Sequence, residues 1–208
     1  MAEKFHGLYV ITSAVPDRGR THLDVARAAV AGGARIIQLR DKTASSRQLL
    51  NDAQAIREIT RAAGALFIVN DRLDIALAAE ADGVHLGEED LPIGLARKVA
   101  GEKLIIGASA GSVAEAQAAA AAGTDYLGVG CIFPTPSKPD TGPPLGCAII
   151  REIKAAVNLP LIAIGGINAT NAKEALQAGA DGLAVISAVS NADDMVAATR
   201  NLLKLAEG

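Results

Sequence analysis

The 208-residue sequence predicts an α/β fold, a (β/α)8 TIM barrel formed by residues 1–208 as a single domain. Three observations lead there. Short Ile/Val/Leu runs alternate with Ala-rich amphipathic stretches eight times along the chain. Each run is almost continuously apolar, as a strand buried on both faces requires, so the sheet should be parallel with its helices outside. Eight units in 208 residues leave about 26 residues each, tight but sufficient for this barrel. The rival, a doubly wound open sheet, predicts fewer strands and a Gly-rich fingerprint after the first one, which the sequence lacks.

Taken in order, the strands are expected near Leu8–Thr12, Ile36–Arg40, Leu66–Asn70, Gly83–Leu86, Leu104–Ser109, Tyr126–Cys131, Pro160–Gly165 and Gly182–Ser187. Helical periodicity falls near 21–32, 46–63, 72–80, 93–100, 112–122, 145–157, 169–178 and 193–206. Four strings, AVAGGARIIQL, ALAAEADGVHL, AAAAGTDYLGV and ALQAGADGLAV, each close an Ala-rich helix and open a strand. Gly33, Gly123 and Gly179 sit where a helix C-terminus favours a left-handed residue. The echo recurs about every 50 residues, near two units. It reads either as barrel pseudo-symmetry or as convergence on one helix-to-strand turn chemistry.

Composition excludes several classes of partner. Lys and Arg number 20 against 23 Asp and Glu, a net charge of −3, so no basic excess marks a nucleic-acid or anionic-membrane surface. With three Phe, two Tyr and no Trp, stacking platforms for bases are not expected. Cys131 and Cys147 show no metal or redox spacing and read as free thiols in a reducing compartment. The start MAEKFHG has no apolar signal region, and no apolar run approaches the roughly 18 residues of a membrane span. The expectation is a cytoplasmic protein, without nucleic-acid or membrane partners; a homo-oligomer is compatible with the sequence.

In such barrels the site is built from the loops that follow the strands. After strand 2 comes QLRDK, in which Gln38 and Arg40 share strand parity and Lys42 follows. A Gln and an Arg in an apolar strand need partners, either a ligand or a structural pair with Asp41 or a neighbouring strand. After strand 3 comes Asn70-Asp71-Arg72, and after strand 4 GEEDLP with Asp90. Carboxylates from adjacent loops can meet above the barrel mouth, and Mg2+ takes one or two carboxylates with water and phosphate oxygens. Alternatively Asp71 and Asp90 cap the helices that follow. His85, within the strand-4 run, reads as a satisfied core histidine with no assigned role.

Strand 5 ends at Ser109, and Ser112 is the better helix cap, which leaves the Ser109 hydroxyl for a ligand. The loop after strand 6, FPTPSKPDTGPP, holds five of the eight prolines and presents Thr135, Ser137 and Lys138. Stiffened donors suit an anion; a Pro-rich surface connector is the plain alternative. After strand 7 comes IGGIN and after strand 8 ISA, where Gly165 and Gly166 let backbone approach a phosphate beside Ile186 and Ser187. The mouth therefore offers two anion regions. One is a phosphate cradle over strands 7 and 8. The other is a basic cluster of Arg40, Lys42 and Lys138 able to share a pyrophosphate with a metal. Without a Ser/His/Asp constellation, a cysteine nucleophile setting or a Schiff-base lysine, the chemistry points to electrostatic help for a departing phosphate group.

The ordered set LYVIT, QLRDK, FIVNDR, ADGVHLGEEDLP, IIGAS, VGCIFPTPSKPD, PLIAIGGIN and GLAVIS, from about residue 8 to 190, resembles the thiamine-phosphate synthase family of (β/α)8 barrels. The resemblance implies a transferase that joins hydroxymethylpyrimidine diphosphate to thiazole phosphate, releasing pyrophosphate and forming thiamine phosphate. It implies that Gln38, Arg40, Lys42, Asn70, Ser109 and Lys138 bind the pyrimidine diphosphate. Of these, Arg40, Lys42, Ser109 and Lys138 are the expected catalytic groups. Asp71 and Asp90 would hold Mg2+, and Thr135, Ser137, Gly166, Ile186 and Ser187 the thiazole phosphate. Two departures stand out: GEED has Glu88 where the family is expected to carry Gln, and Cys131 occupies a variable position. Two other readings are a thiazole tautomerase-like paralogue, which needs a general base where Cys131 stands, and a non-catalytic phosphate-ligand binding protein, which has no reason to keep the carboxylates.

Overall fold

The computed structural model describes residues 5–135 and 143–207. Among them, eight parallel strands close into a barrel: β1 (Gly7–Ile11), β2 (Ile36–Leu39), β3 (Leu66–Asn70), β4 (Gly83–Leu86), β5 (Ile105–Ala110), β6 (Tyr126–Val129), β7 (Leu161–Ile164) and β8 (Gly182–Val185), with β8 returning to pair with β1. The helices between them are α1 (His22–Ala31), α2 (Ser46–Ala63), α3 (Leu73–Ala78), α4 (Ile93–Ala100), α5 (Val113–Ala121), α6 (Ala148–Ala156) and α7 (Ala172–Gln177). After β8 come a single-turn α8 (Ser187–Ser190) and the closing α9 (Met195–Glu207). No described helix is long and apolar enough to cross a membrane.

Two apolar regions follow from strand parity. One lies between the sheet and the outer helices. The other fills the barrel interior and centres on Phe5, Tyr9, Ile36, Ile68, Tyr126 and Ile162. Glycines offset the large inward residues. At Gly107 any Cβ would overlap the Tyr126 ring, so the missing side chain lets Tyr126 cross the barrel and stack on Phe5 with ring centroids 4.6 Å apart.

The repeated helix-to-strand strings have a shared physical cause on the N-terminal face of the barrel. Asp82, Asp125 and Asp181 each accept the backbone N–H that opens or nearly opens the preceding strand: Phe67, Ile106 and Leu161, all at 2.7 Å. Each also pairs with a cation on the helix that leads into that same preceding strand: Arg57 at 2.7 Å, Arg97 at 2.6 Å and Lys154 at 2.5 Å. In the fourth string Arg35 occupies the acidic position, and its partner is an acid, Glu207, at 3.1 Å. Gly33, Gly123 and Gly179 take φ of 96°, 91° and 105°, and in the remaining string Glu80 takes φ 51° without being glycine.

Several ends differ from the sequence expectation. The run Tyr126–Cys131 leaves the ladder after Val129, and Pro160–Gly165 after Ile164, because Gly165 turns to φ 98°. The run Gly182–Ser187 stops at Val185, since Ser187 begins α8, which is too short to show a helical period. The helix expected over 145–157 starts at Ala148, behind Gly146 at φ 70°.

Candidate active site at the C-terminal rim

The rim is organised first by β2 and its following loop. Gln38 is buried and its Nε2 donates to Tyr9 Oη at 2.7 Å. Asp41, between Arg40 and Lys42, shapes the loop. Its Oδ1 accepts from Thr43 N at 2.8 Å, Thr43 Oγ1 at 2.8 Å and Ala44 N at 2.9 Å. Its Oδ2 lies 3.2 Å from His22 Nε2 on α1, while His22 Nδ1 lies 2.9 Å from Thr12 Oγ1. Burial opposes ionisation of Asp41, but these hydrogen bonds outweigh it and bring its pKa down to about 2. Asp41 is thus the anchor of the loop, and its carboxylate is committed to the loop and to His22.

Asp71 follows β3 in a left-handed conformation, φ 62°, which Asp tolerates better than most residues. Its carboxyl meets that of Asp90 from the loop after β4. Burial, the hydrogen bond to Asp90 and the Asp90 charge raise the Asp71 pKa to about 6, against the pull of Lys42 and Arg40. Lys42 Nζ stands 4.0 Å from Asp71 Oδ2. Neither carboxylate caps a helix: the residue before α3 is Arg72 and that before α4 is Pro92, and neither helix has a side-chain cap. Asp90 Oδ2 instead accepts from Gly87 N at 2.7 Å. Glu88 and Glu89 are exposed, and no cluster of three or more potential metal ligands occurs among the described residues.

Beside this acidic pair lie two connected clefts. One is lined by Gln38, Asn70, His85 and Ser109. The other is lined by Ser109, Cys131, Thr135, Gly166, Ile186 and Ser187. Gly165 and Gly166 are required by crowding as well as by φ of 98° and 64°. A Cβ at Gly166 would stand 2.5 Å from the Pro134 carbonyl oxygen, and one at Gly165 would stand 2.5 Å from Cys131 Sγ. The Gly166 carbonyl accepts from Asn168 and Asn171 at 3.2 and 3.0 Å within the loop after β7, and Phe133 N–H donates to the Gly165 carbonyl at 3.0 Å, which holds that loop against the loop after β6. Ser187 starts the short helix α8, so strands 7 and 8 present the loop-and-short-helix arrangement that binds phosphate in many such barrels.

The structure thus brings Gln38, Asn70, Asp71, Asp90, Ser109, Thr135, Gly166, Ile186 and Ser187 to one end of the barrel, with Arg40 and Lys42 in electrostatic reach of Asp71. Ser137 and Lys138 lie outside the described residues. Sequence reasoning missed the contributions of Tyr9, His22, His85 and Tyr126. Of these, His85 was visible as an inward-parity polar residue in a strand, and the others look like ordinary core.

Comparison with known proteins agrees with this geometry. The family model for thiamine monophosphate synthase matches residues 8–189. The thiamine-phosphate synthase of Methanoculleus marisnigri is 59% identical over 197 residues, 95% of this chain and 93% of that protein. That of Chloroflexus aurantiacus is 52% identical over 198 residues, 95% and 91% of the two chains. The solved thiamine phosphate pyrophosphorylase of Pyrococcus furiosus superposes with a TM-score of 0.90 at 45% identity, covering 99% of this chain and 97% of the other. A match that spans nearly the whole barrel, rim loops included, shows that the chain belongs to the thiamine monophosphate synthase family.

Proposed function

We propose that this protein is a thiamine-phosphate synthase that joins hydroxymethylpyrimidine diphosphate to thiazole phosphate and releases pyrophosphate. The observation that carries the reading is the convergence of Asp71 and Asp90 with Lys42 and Arg40 at the edge of clefts lined by Ser109 and the loops after β6, β7 and β8. A pure phosphate binder has no use for two half-buried carboxylates pressed together at a cost in ionisation.

The donor set fits Mg2+. Two carboxylates with one pKa lifted to about 6 form a site short of positive charge, and Mg2+ is satisfied by two carboxylates, waters and phosphate oxygens. When bound, the ion would supply charge neutralisation for a diphosphate leaving group. Arg40 and Lys42, joined by Lys138, would bind the diphosphate and stabilise the charge that gathers on it as the methylene–oxygen bond breaks. The electron pair of that bond leaves with pyrophosphate. The aminopyrimidine ring delocalises the positive charge on its exocyclic methylene, and the thiazole nitrogen lone pair forms the new C–N bond. Gln38, Asn70 and Ser109 would hold the pyrimidine. Thr135, Ser137, Gly166, Ile186 and Ser187 would hold the thiazole phosphate, so that the barrel contributes positioning as well as charge.

Cys131 bears on the tautomerase alternative: its thiol donates to the Phe133 carbonyl at 2.8 Å and is engaged in the loop. The reading includes a single-domain chain, a cytoplasmic location and two small phosphorylated substrates as partners. It is tested by supplying both substrates with Mg2+. The expected result is pyrophosphate release that requires both. A tautomerase instead consumes the thiazole isomer alone, and a binder releases nothing.

A further inference from the structure

Five polar side chains form one continuous line through an otherwise apolar barrel interior. Gln38 Nε2 donates to Tyr9 Oη at 2.7 Å. Tyr9 Oη and Tyr126 Oη are 2.9 Å apart. Tyr126 Oη and His85 Nδ1 are 3.0 Å apart, and His85 Nε2 and Ser109 Oγ are 3.1 Å apart. The line runs through residues of β2, β1, β6, β4 and β5, and Ser109 opens into both clefts.

Donor counting fixes a direction along it. The Tyr9 hydroxyl is buried and receives the Gln38 amide proton, so its own proton goes to Tyr126. The other arrangement would orphan a buried hydroxyl proton. Tyr126, now an acceptor from Tyr9, passes its proton to His85 Nδ1. A ring that accepts at Nδ1 is, in its neutral form, protonated at Nε2. That Nε2–H donates to Ser109 Oγ, which leaves the Ser109 proton for an acceptor in the cleft. Burial drives the pKa of both tyrosines upward, so each hydroxyl keeps the proton it contributes.

We infer that His85 is a positioning residue for the synthase reaction: the Gln38–Tyr9–Tyr126 line holds it as the Nε2–H tautomer, and it in turn presents Ser109 to the pyrimidine substrate as a hydrogen-bond donor. The inference rests on the proposed synthase reading and extends it. It assigns a role to a histidine that neither touches a phosphate nor serves as a base. It also states the chemistry Ser109 selects, a lone-pair acceptor on the substrate in preference to an N–H or C–H.

The test has two arms. In the first, 15N NMR of histidine-labelled protein, with the His85 signals assigned from the spectrum of His85→Gln, reads the tautomer directly and needs no activity. A pyrrole-type Nε2 is expected, and a pyrrole-type Nδ1 overturns the inference. In the second, pyrophosphate release is measured for variants. His85→Asn, whose amide reaches the Nδ1 position but stops short of Ser109, is expected to lower kcat tenfold or more with KM for thiazole phosphate little changed. His85→Gln, whose amide reaches the Nε2 position, restores most of the rate. Adding His85→Asn to Ser109→Ala brings little further loss, because the two residues act as one unit. Wild-type kcat in His85→Asn alongside a damaged Ser109→Ala overturns the inference and leaves the synthase reading intact. Absence of pyrophosphate release by the wild-type protein overturns both.

Discussion

Asp71 donates its backbone N–H to the His85 carbonyl at 2.8 Å, so the carboxylate rim and the polar line through the barrel share one peptide junction between β3 and β4. The bond holds Asp71 in its left-handed conformation and turns its carboxyl toward Asp90. Asp71→Ala is therefore expected to remove one leg of the proposed Mg2+ site while the backbone bond persists. Loss of one such electrostatic contact costs about 3 kcal/mol, a hundredfold or more in turnover. Excess Mg2+ should recover only part of it. Steady-state pyrophosphate release over a Mg2+ titration measures the effect, and undiminished turnover by Asp71→Ala in the presence of EDTA would remove the metal role.

A second prediction concerns the loop that carries Arg40 and Lys42. Asp41 titrates near 2 in the folded protein, below the ordinary Asp value of 3.8. A carboxylate with a depressed folded pKa contributes stability that is present above the unfolded pKa and is lost as pH falls through the folded one. The Asp41 contribution should therefore be complete above about pH 4 and gone near pH 2. Acid unfolding of the wild type and Asp41→Asn, followed by circular dichroism, should give curves that converge between pH 4 and 2 and stay apart above it. Parallel curves throughout would show that the anchor is not ionic.

The unit order and the parallel sheet were legible because each strand is an apolar run bounded by turn residues, and the position of the candidate site rests on the rule that strand C-termini carry it. The acidic pair was legible as candidates, Asp71 and Asp90, but not as a choice between caps and ligands. Setting the cap reading aside needed Arg72 and Pro92 at the positions before α3 and α4, which a propensity argument does not assign. The line from Gln38 to Ser109 was not legible. Tyr9 and Tyr126 are separated by 117 residues and meet only because the barrel closes and Gly107 leaves room. Ser187 was read as a strand end, since one turn of helix carries no periodicity.

The N-terminal face supplies a stability prediction independent of the site. Asp125 receives the Ile106 N–H and the Arg97 guanidinium, and Arg97 also donates to the carbonyls of Gly101, Leu104 and Gly123. Asp125→Ala leaves a largely buried guanidinium without its counter-ion and a strand N–H without its acceptor. A loss of about 3 kcal/mol follows, which lowers Tm by roughly 6–12 °C for a chain of this size. Turnover at low temperature should be unchanged, since the substitution lies at the opposite end of the barrel from the clefts. A reduced kcat at full folding would show that the two faces are coupled.

Glu80 is the exception among the four repeated turns, and the exception predicts a stabilising change. Gly33, Gly123 and Gly179 adopt positive φ where a missing Cβ makes it cheap, while Glu80 holds φ 51° with a side chain. Its compensation is one exposed ion pair, Arg61 Nη2 to Glu80 Oε2 at 3.3 Å, and such pairs contribute little. A non-Gly residue in this region costs about 1–2 kcal/mol, against about 0.5–1 kcal/mol of extra chain entropy that glycine brings to the unfolded state. Glu80→Gly should therefore raise stability by up to about 1 kcal/mol, a Tm increase of roughly 2–4 °C. Equilibrium urea unfolding separates the causes. The strain account requires the midpoint to rise with the slope unchanged. A lower midpoint would mean that the Arg61 pair outweighs the strain of the turn.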